Sequence, residues 1–287
     1  MILVTGASGH LGQTVIAQLQ KQYPNNSIAA LVRSEEKGAA LKAQGIELRI
    51  GDYHDSTALQ TTLKGIEKVI LISSSDFNNR LQQHKNVVDA AAHNGVQHIY
   101  YTGVAMNDIH TSPLKPFLED HFQTEAYIKE SGLTYTFLQH SLYAEVVPMF
   151  IGEQALQTGV FFPAGDGEVA FATRADLAEA IALVVSSQGH DNKTYQMTNT
   201  ETYSFAKVAE YLTEINQSEV AYISPEPEVF AETLRGYQVP EHIIAVSLGF
   251  AAGIKNNDFN QPSNHLAKIL GRTPTSLQSF LAQVYQK

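Results

Sequence analysis

The residues best placed to do chemistry open the chain. Val4-Thr5-Gly6-Ala7-Ser8-Gly9-His10-Leu11-Gly12 carries glycines spaced G-x-x-G-x-x-G between a short apolar run and a helical stretch. At such a junction Gly6 permits a tight turn, Gly9 lets backbone approach a pyrophosphate, and Gly12 lets the helix pack closely on the strand. The helix start then offers N–H groups and the positive end of its dipole to phosphate. A glycine pattern alone is weak evidence; the strand before it and the helix after it give it meaning. The turn predicts a dinucleotide site, and an ordinary glycine turn is the competing reading. Arg33 adds an independent signal about 20 residues beyond Gly12, after the second apolar run. An acidic residue there would bind the ribose 2′-hydroxyl of NAD, whereas an arginine fork suits the 2′-phosphate of NADP. Ser34 and Lys37 are close enough in sequence to assist. The expected cofactor is NADP(H), and the competing reading of Arg33 is a solvated surface side chain. Asp52, after the third run, is expected either at the adenine amino group or holding its own turn.

Ligands in open α/β sheets bind at the carboxyl ends of the strands. That rule selects Ser73, Ser74 and Ser75 after the fourth run, Thr102 and Gly103 after the fifth, and Gln139, His140 and Ser141 after the sixth. Hydroxyls after the fourth run could line the nicotinamide side or merely keep a loop soluble. Arg80, near the same loop, either contacts phosphate or substrate or caps the next helix. Arg174 and Asp176 open a later helix; Asp176 suits that helix's dipole, and a ligand role for Arg174 is the alternative. Eleven histidines invite a metal reading, but no H-E-x-x-H or H-x-x-x-H pair occurs on a helix, so no metal is expected. No G-x-S-x-G elbow is present, which argues against an α/β-hydrolase. With no cysteine, disulfides, zinc-thiolate sites and cysteine nucleophiles are excluded.

The elements that must position these residues are legible as an alternation. Strand-like apolar runs fall at 2–5, 28–32, 46–50, 68–72, 97–102 and 134–138. Helical stretches fall at 13–22, 36–43, 57–64, 81–93 and 119–131. Short buried strands alternating with helices predict a parallel sheet covered on both faces, a doubly wound α/β Rossmann fold. On 81–93 the side with Val87, Val88, Ala91 and Ala92 is expected to face the core. After about residue 140 the pattern loosens into a helix at 175–186, a strand at 193–197, and helices at 205–215, 227–234, 242–250 and 276–285. Thr273-Pro274 reads as the cap and first position of the last helix. The expected division is a cofactor-binding core over 1–140 and a smaller, mostly helical substrate lobe over 141–287 with elements returning to the core. Lys plus Arg is 19 against 29 Asp plus Glu, a net charge of −10, so general nucleic-acid binding is not expected. No apolar stretch is long enough to span a bilayer and no leader pattern precedes the first strand, so no membrane partner is expected and a cytoplasmic location is.

Thr5-Gly6-Ala7-Ser8-Gly9-His10-Leu11-Gly12, Leu31-Val32-Arg33 and Gly51-Asp52-Tyr53 resemble the atypical short-chain dehydrogenase/reductases. Leu71-Ile72-Ser73-Ser74-Ser75, Arg80 with Gln83-His84-Lys85-Asn86-Val87, Tyr101-Thr102, Thr111-Ser112-Pro113-Leu114, His121 with Thr124-Glu125, and Ala172-Thr173-Arg174-Ala175-Asp176 are similar to the NmrA-like branch. Within it the chain most resembles the bacterial type 2 NAD(P)H:quinone oxidoreductases, over nearly its whole length. The resemblance implies NADPH-dependent reduction of a small quinone. It implies cofactor contacts from the glycine turn, Arg33, the loop from Ser73 to Asp76, and the segment from Leu138 to Tyr143. That family often has Arg-Asn-Gly or Arg-Pro where this chain has Gln139-His140-Ser141, which alters the polar contacts at that edge. The wider superfamily uses a Tyr-x-x-x-Lys pair for proton transfer. The only such spacing here, Tyr203 with Lys207, falls beyond the dinucleotide sheet and is read as accidental. Quinone reduction is less demanding than alcohol oxidation, because the product oxyanion is delocalised and positioning supplies much of the catalysis. Tyr143 or His140 is the candidate donor to the quinone oxygen, with core packing the competing reading of Tyr143. A non-catalytic NADP-binding redox sensor is the second hypothesis, and a sugar-nucleotide epimerase-like enzyme a third, disfavoured by the missing Tyr/Lys pair. The oligomeric state stays open, a homodimer being one expectation.

Overall fold

Strands buried on both faces generate the central layer. In the computed structural model, which describes residues 1–286, β1 (Ile2–Val4), β2 (Ile28–Val32) and β5 (His98–Val104) are buried at every position. They alternate with helices in the order β1, α1 (His10–Leu19), β2, α2 (Glu35–Ala43), β3 (Glu47–Ile50), α3 (Ser56–Thr62), β4 (Lys68–Leu71), α4 (Arg80–His93), β5, α5 (Lys115–Glu130) and β6 (Thr134–His140). There follow α6 (Val147–Ile151), α7 (Ala155–Thr158), β7 (Val160–Phe161), β8 (Glu168–Val169), α8 (Arg174–Ser186) and β9 (Lys193–Met197). Then come β10 (Tyr203–Ser204), α9 (Phe205–Asn216), β11 (Tyr222–Ile223), α10 (Pro227–Gly236), α11 (Glu241–Lys255), α12 (His265–Leu270) and α13 (Leu277–Tyr285).

Seven strands form the main sheet in the order β3-β2-β1-β4-β5-β6-β9. The pairs from β3 through to β6 are all parallel. This is the Rossmann order, and its reversal falls between β1 and β4. Edge strand β3 breaks the all-buried pattern, with Glu47 and Ile50 exposed. Behind the sheet Leu3, Leu31, Val69, Ile99 and Phe137 pack with Val87, Val88 and Ala91 of α4. Ala92 is exposed, contrary to expectation, and the buried face of α4 continues instead through His84, Gln83 and Arg80.

The chain divides into two compact units. The first comprises Met1–Val104, Phe117–His140 and Arg174–Gln196, so α8 and most of β9 belong to it; α8 packs there against α1. The second comprises Ala105–Pro116, Ser141–Thr173 and Met197–Lys287. It holds the helices α9 to α13 and two two-stranded sheets, β10 with β8 and β11 with β7. Those strands are only two residues long, too short to show an alternation in sequence. The last helix begins at Leu277, capped by Ser276, whose hydroxyl accepts from Ser279 N–H at 3.1 Å; Thr273-Pro274 lies outside it. Among the described residues no helix is long and apolar enough to cross a membrane, and no group of three metal-ligating side chains occurs.

Candidate dinucleotide site

The glycine turn runs directly into α1, which starts at His10, three positions earlier than the sequence suggests. Gly6 has φ +58°, a left-handed conformation in which a side chain would be strained, and its carbonyl accepts from Gly9 N–H at 3.0 Å. At Gly12 a Cβ would fall 2.3 Å from the Gly6 carbonyl oxygen and 2.8 Å from Ala7 Cα. Only glycine lets helix and turn approach so closely. Helix α1 follows Gly9, which offers no side-chain cap; α4, α10, α11 and α12 also begin without one, whereas α2, α3, α9 and α13 are capped by a side chain. The first N–H groups of α1 are therefore left to a ligand or to solvent, and the helix dipole adds its positive end there.

Arg33 directly follows β2 on the same edge of the sheet. Its side chain is exposed and has no hydrogen-bond or ion-pair partner among the described residues. Ser34 is already engaged, since its hydroxyl caps α2 by accepting from Lys37 N–H at 3.3 Å. Asp52 stabilises its own turn, accepting from His54 N–H at 2.9 Å through one carboxylate oxygen. The donor set thus fits a dinucleotide with a 2′-phosphate: a bare helix start, a turn with no side chains at its glycines, and one exposed guanidinium.

The strand ends behind this edge are tied together by hydroxyls. Thr5 Oγ1 donates to the Ile70 carbonyl at 3.1 Å and accepts from Ile72 N–H at 3.1 Å. Tyr53 Oη lies against both Thr5 Oγ1 and the Ile72 carbonyl, joining the ends of β1, β3 and β4. Thr102, buried at the end of β5, accepts from Ser73 N–H at 2.9 Å. Ser75 and Asp76 are exposed on the loop after β4, and Asp76 accepts from Asn78 N–H at 2.9 Å, a bond that leads the causes lowering its pKa.

Arg80 departs from the expectation of a phosphate or substrate contact. Its side chain is 4% exposed. Its guanidinium donates to the Asp120 carboxylate, to the Phe117 carbonyl and to the Ser74 carbonyl, so it shapes the loop from behind. Leu138 is fully buried in the sheet. The Gln139 amide donates to both oxygens of Glu125 at 3.0 and 3.1 Å. Burial pushes the Glu125 carboxyl up, while Gln139 pulls it down. His140 is buried, and burial lowers its pKa to about 3, so the ring is neutral. The chain enters the second unit at Ser141, whose hydroxyl oxygen is buried without a hydrogen-bond partner among the described residues. Tyr143, half-buried, makes a parallel bridge with Ala172 in that unit. Arg174, half-buried, opens α8 in the first unit. Tyr203 and Lys207 do not form a pair: Tyr203 donates to Glu201 at 2.6 Å and Lys207 to Glu210 at 2.5 Å.

One sheet edge thus gathers Gly6 to Gly12, Arg33, Asp52, Ser73 to Ser75, Thr102 and Gln139-His140, because parallel strands all end on the same side. Sequence reading missed Tyr53, His84, Asp120 and Thr124 as groups shaping that edge. For His84 a signal existed: positions 84, 87, 88 and 91 share one helix face, so a polar residue there interrupts an apolar stripe.

A parallel sheet in the Rossmann order, with a glycine turn running into an uncapped helix, is the arrangement of a dinucleotide-binding type of fold. The model of the NmrA-like family matches residues 1–279, and the chain belongs to that family. It is 37% identical over 286 residues to quinone oxidoreductase 2 of Escherichia coli (strain K12), covering 99% of each chain. It is also similar to the crystal structure of an Escherichia coli NADPH-dependent quinone oxidoreductase complexed with NADPH (TM-score 0.91, 35% identity, 99% of this chain and 100% of that one). A Citrobacter sp. triphenylmethane reductase is equally similar in structure (TM-score 0.92, 34% identity, 100% of this chain and 99% of that one).

Proposed function

We propose that this protein binds NADPH and reduces small quinones by direct hydride transfer, without flavin. The observation that carries the cofactor reading is the bare start of α1 facing a turn in which Gly6 and Gly12 admit no side chain, with an exposed, unpartnered Arg33 on the same sheet edge. The full-length likeness to quinone oxidoreductase 2 supports the acceptor class. When bound, NADPH supplies the hydride. The chain's own work is positioning. Backbone N–H groups from His10 to Gly12 hold the pyrophosphate, Arg33 grips the 2′-phosphate, and the loop after β4 borders the nicotinamide half. The β6 end, from Leu138 to Tyr143, supplies the remaining contacts. A reduced quinone oxygen needs a proton or a hydrogen bond. Tyr143 offers a phenolic O–H, and His140, held neutral by burial, offers at most a neutral ring N–H. The protein acts on a small molecule in water, in keeping with its acidic balance and the absence of a membrane-crossing helix among the described residues.

Steady-state kinetics with NADPH or NADH and a small quinone test this reading. A higher kcat/KM with NADPH is expected. Tyr143→Phe is expected to lower kcat by about 100-fold if the phenol donates in the rate-limiting step. An unchanged kcat removes Tyr143 from that role.

A further inference from the structure

Three polar side chains on the first turns of α4 turn toward the loop that follows β4. The Ser74 N–H donates to His84 Nε2 at 3.0 Å, and the Ser74 carbonyl accepts from Arg80 Nη1 at 3.4 Å. Gln83 donates to the Asn78 carbonyl at 2.8 Å and reaches the Asp76 carbonyl at 3.4 Å. Both backbone polar groups of Ser74 are thus held by side chains of one helix, while Thr102 holds the amide of Ser73. His84 is itself held from behind. Its Nδ1 lies 2.9 Å from Thr124 Oγ1, and that hydroxyl donates to the Asp120 carbonyl at 2.6 Å. The Asp120 carboxylate receives Arg80. The bonds close a ring through Ser74, His84, Thr124, Asp120 and Arg80.

The ring assigns the tautomer. Nε2 accepts an amide proton and so carries none, while Nδ1 carries the proton and donates to Thr124. His84 is fully buried, and burial lowers its pKa to about 3. A charged imidazole would present a second donor to Ser74 N–H and break the bond. A rigid ring with one acceptor and one donor at opposite edges spans from Ser74 to Thr124, which no apolar residue can do.

We propose that His84 is a positioning residue for the dinucleotide site: by accepting the Ser74 amide it fixes residues 73–76 in the shape that meets the cofactor. The proposal rests on the reading of that loop as a cofactor contact.

The test measures NADPH dissociation constants by fluorescence titration, together with hydrogen exchange at the Ser74 amide, in the unaltered protein, His84→Leu and His84→Gln. Glutamine keeps one acceptor and one donor, and leucine keeps neither. His84→Leu should weaken NADPH binding about tenfold or more and expose the Ser74 amide to exchange, the effect of leaving one part-buried donor without its acceptor. His84→Gln should restore both to within about threefold. With quinone present, the loss should fall on the KM for NADPH and not on kcat. Thr124→Val removes the partner of Nδ1–H while keeping side-chain shape, and should weaken NADPH in the same direction even where His84→Leu does not fold. Binding by His84→Leu within about twofold of the unaltered protein overturns the proposal, as does a His84→Gln variant no better than His84→Leu. Failure of the unaltered protein to bind NADPH overturns the cofactor reading instead. The exchange arm still decides whether His84 holds Ser74, and unchanged exchange in His84→Leu overturns that.

Discussion

At the residue scale the account turns on Arg33 and Gly12. Arg33 is an exposed guanidinium at the end of β2 with no partner among the described residues, so its removal costs the fold little. Arg33→Ala should weaken NADPH by about 1.4–2.7 kcal/mol, roughly 10- to 100-fold, while NADH affinity moves by no more than about twofold. Parallel isothermal titrations check this, and equal losses for both cofactors would assign Arg33 another role. Gly12 is the opposite case, a residue the fold cannot change. An added Cβ would lie 2.3 Å from the Gly6 carbonyl oxygen and 2.8 Å from Ala7 Cα, and both are backbone atoms. Gly12→Ala should destabilise by about 1–3 kcal/mol in urea unfolding and abolish tight cofactor binding, because helix and turn must separate. The strand–turn–helix junction at Gly6 to Gly12 was legible in sequence because its glycine spacing and its flanking elements are local. Arg80 was not. A side chain's direction depends on what lies behind it, and Asp120 and Phe117 lie about 40 residues further along the chain.

At the element scale, α4 and α5 brace the loop after β4 through buried polar bonds and not through apolar packing alone. Arg80 on α4 and Asp120 on α5 form a largely buried ion pair, with side chains 4% and 21% exposed. Removing one partner leaves a buried charge. Asp120→Ala should cost about 3 kcal/mol of stability, measured by chemical denaturation, and Asp120→Asn less. A change below about 0.5 kcal/mol would mean that the Phe117 and Ser74 carbonyls suffice for the guanidinium. The strand and helix alternation of the first 140 residues was readable because strands buried on both faces are continuous apolar runs. The four short strands of the second unit were not, since two residues carry no period. Segment 105–116 belongs to the second unit although it lies within the first 140 residues, and segment 174–196 belongs to the first. Nothing in local composition marks either crossing.

At the scale of the whole molecule, several buried histidines couple the fold to pH. Burial lowers the pKa of His84 to about 3, of His98 to about 4 and of His140 to about 3, and places that of His121 well below its usual range. In the unfolded chain each titrates near about 6.5. Below that pH the unfolded chain binds protons that the native protein does not, so stability rises with pH and is lost on acidification. Each histidine contributes a slope of at most about 1.4 kcal/mol per pH unit between its unfolded and folded values. Urea midpoints should therefore fall steadily from about pH 7 to pH 5, and a flat profile would contradict the buried neutral assignment. The same fold must deliver the proposed chemistry: a cofactor fixed at one sheet edge and an acceptor brought to it. The most direct measurement mixes flavin-free protein with NADPH and a small quinone under anaerobic conditions, following nicotinamide absorbance and hydroquinone together. The account predicts NADPH loss proportional to protein concentration, with one hydroquinone formed per NADPH consumed. Tight NADPH binding with no turnover above the protein-free rate would contradict it and leave a cofactor-sensing protein in its place.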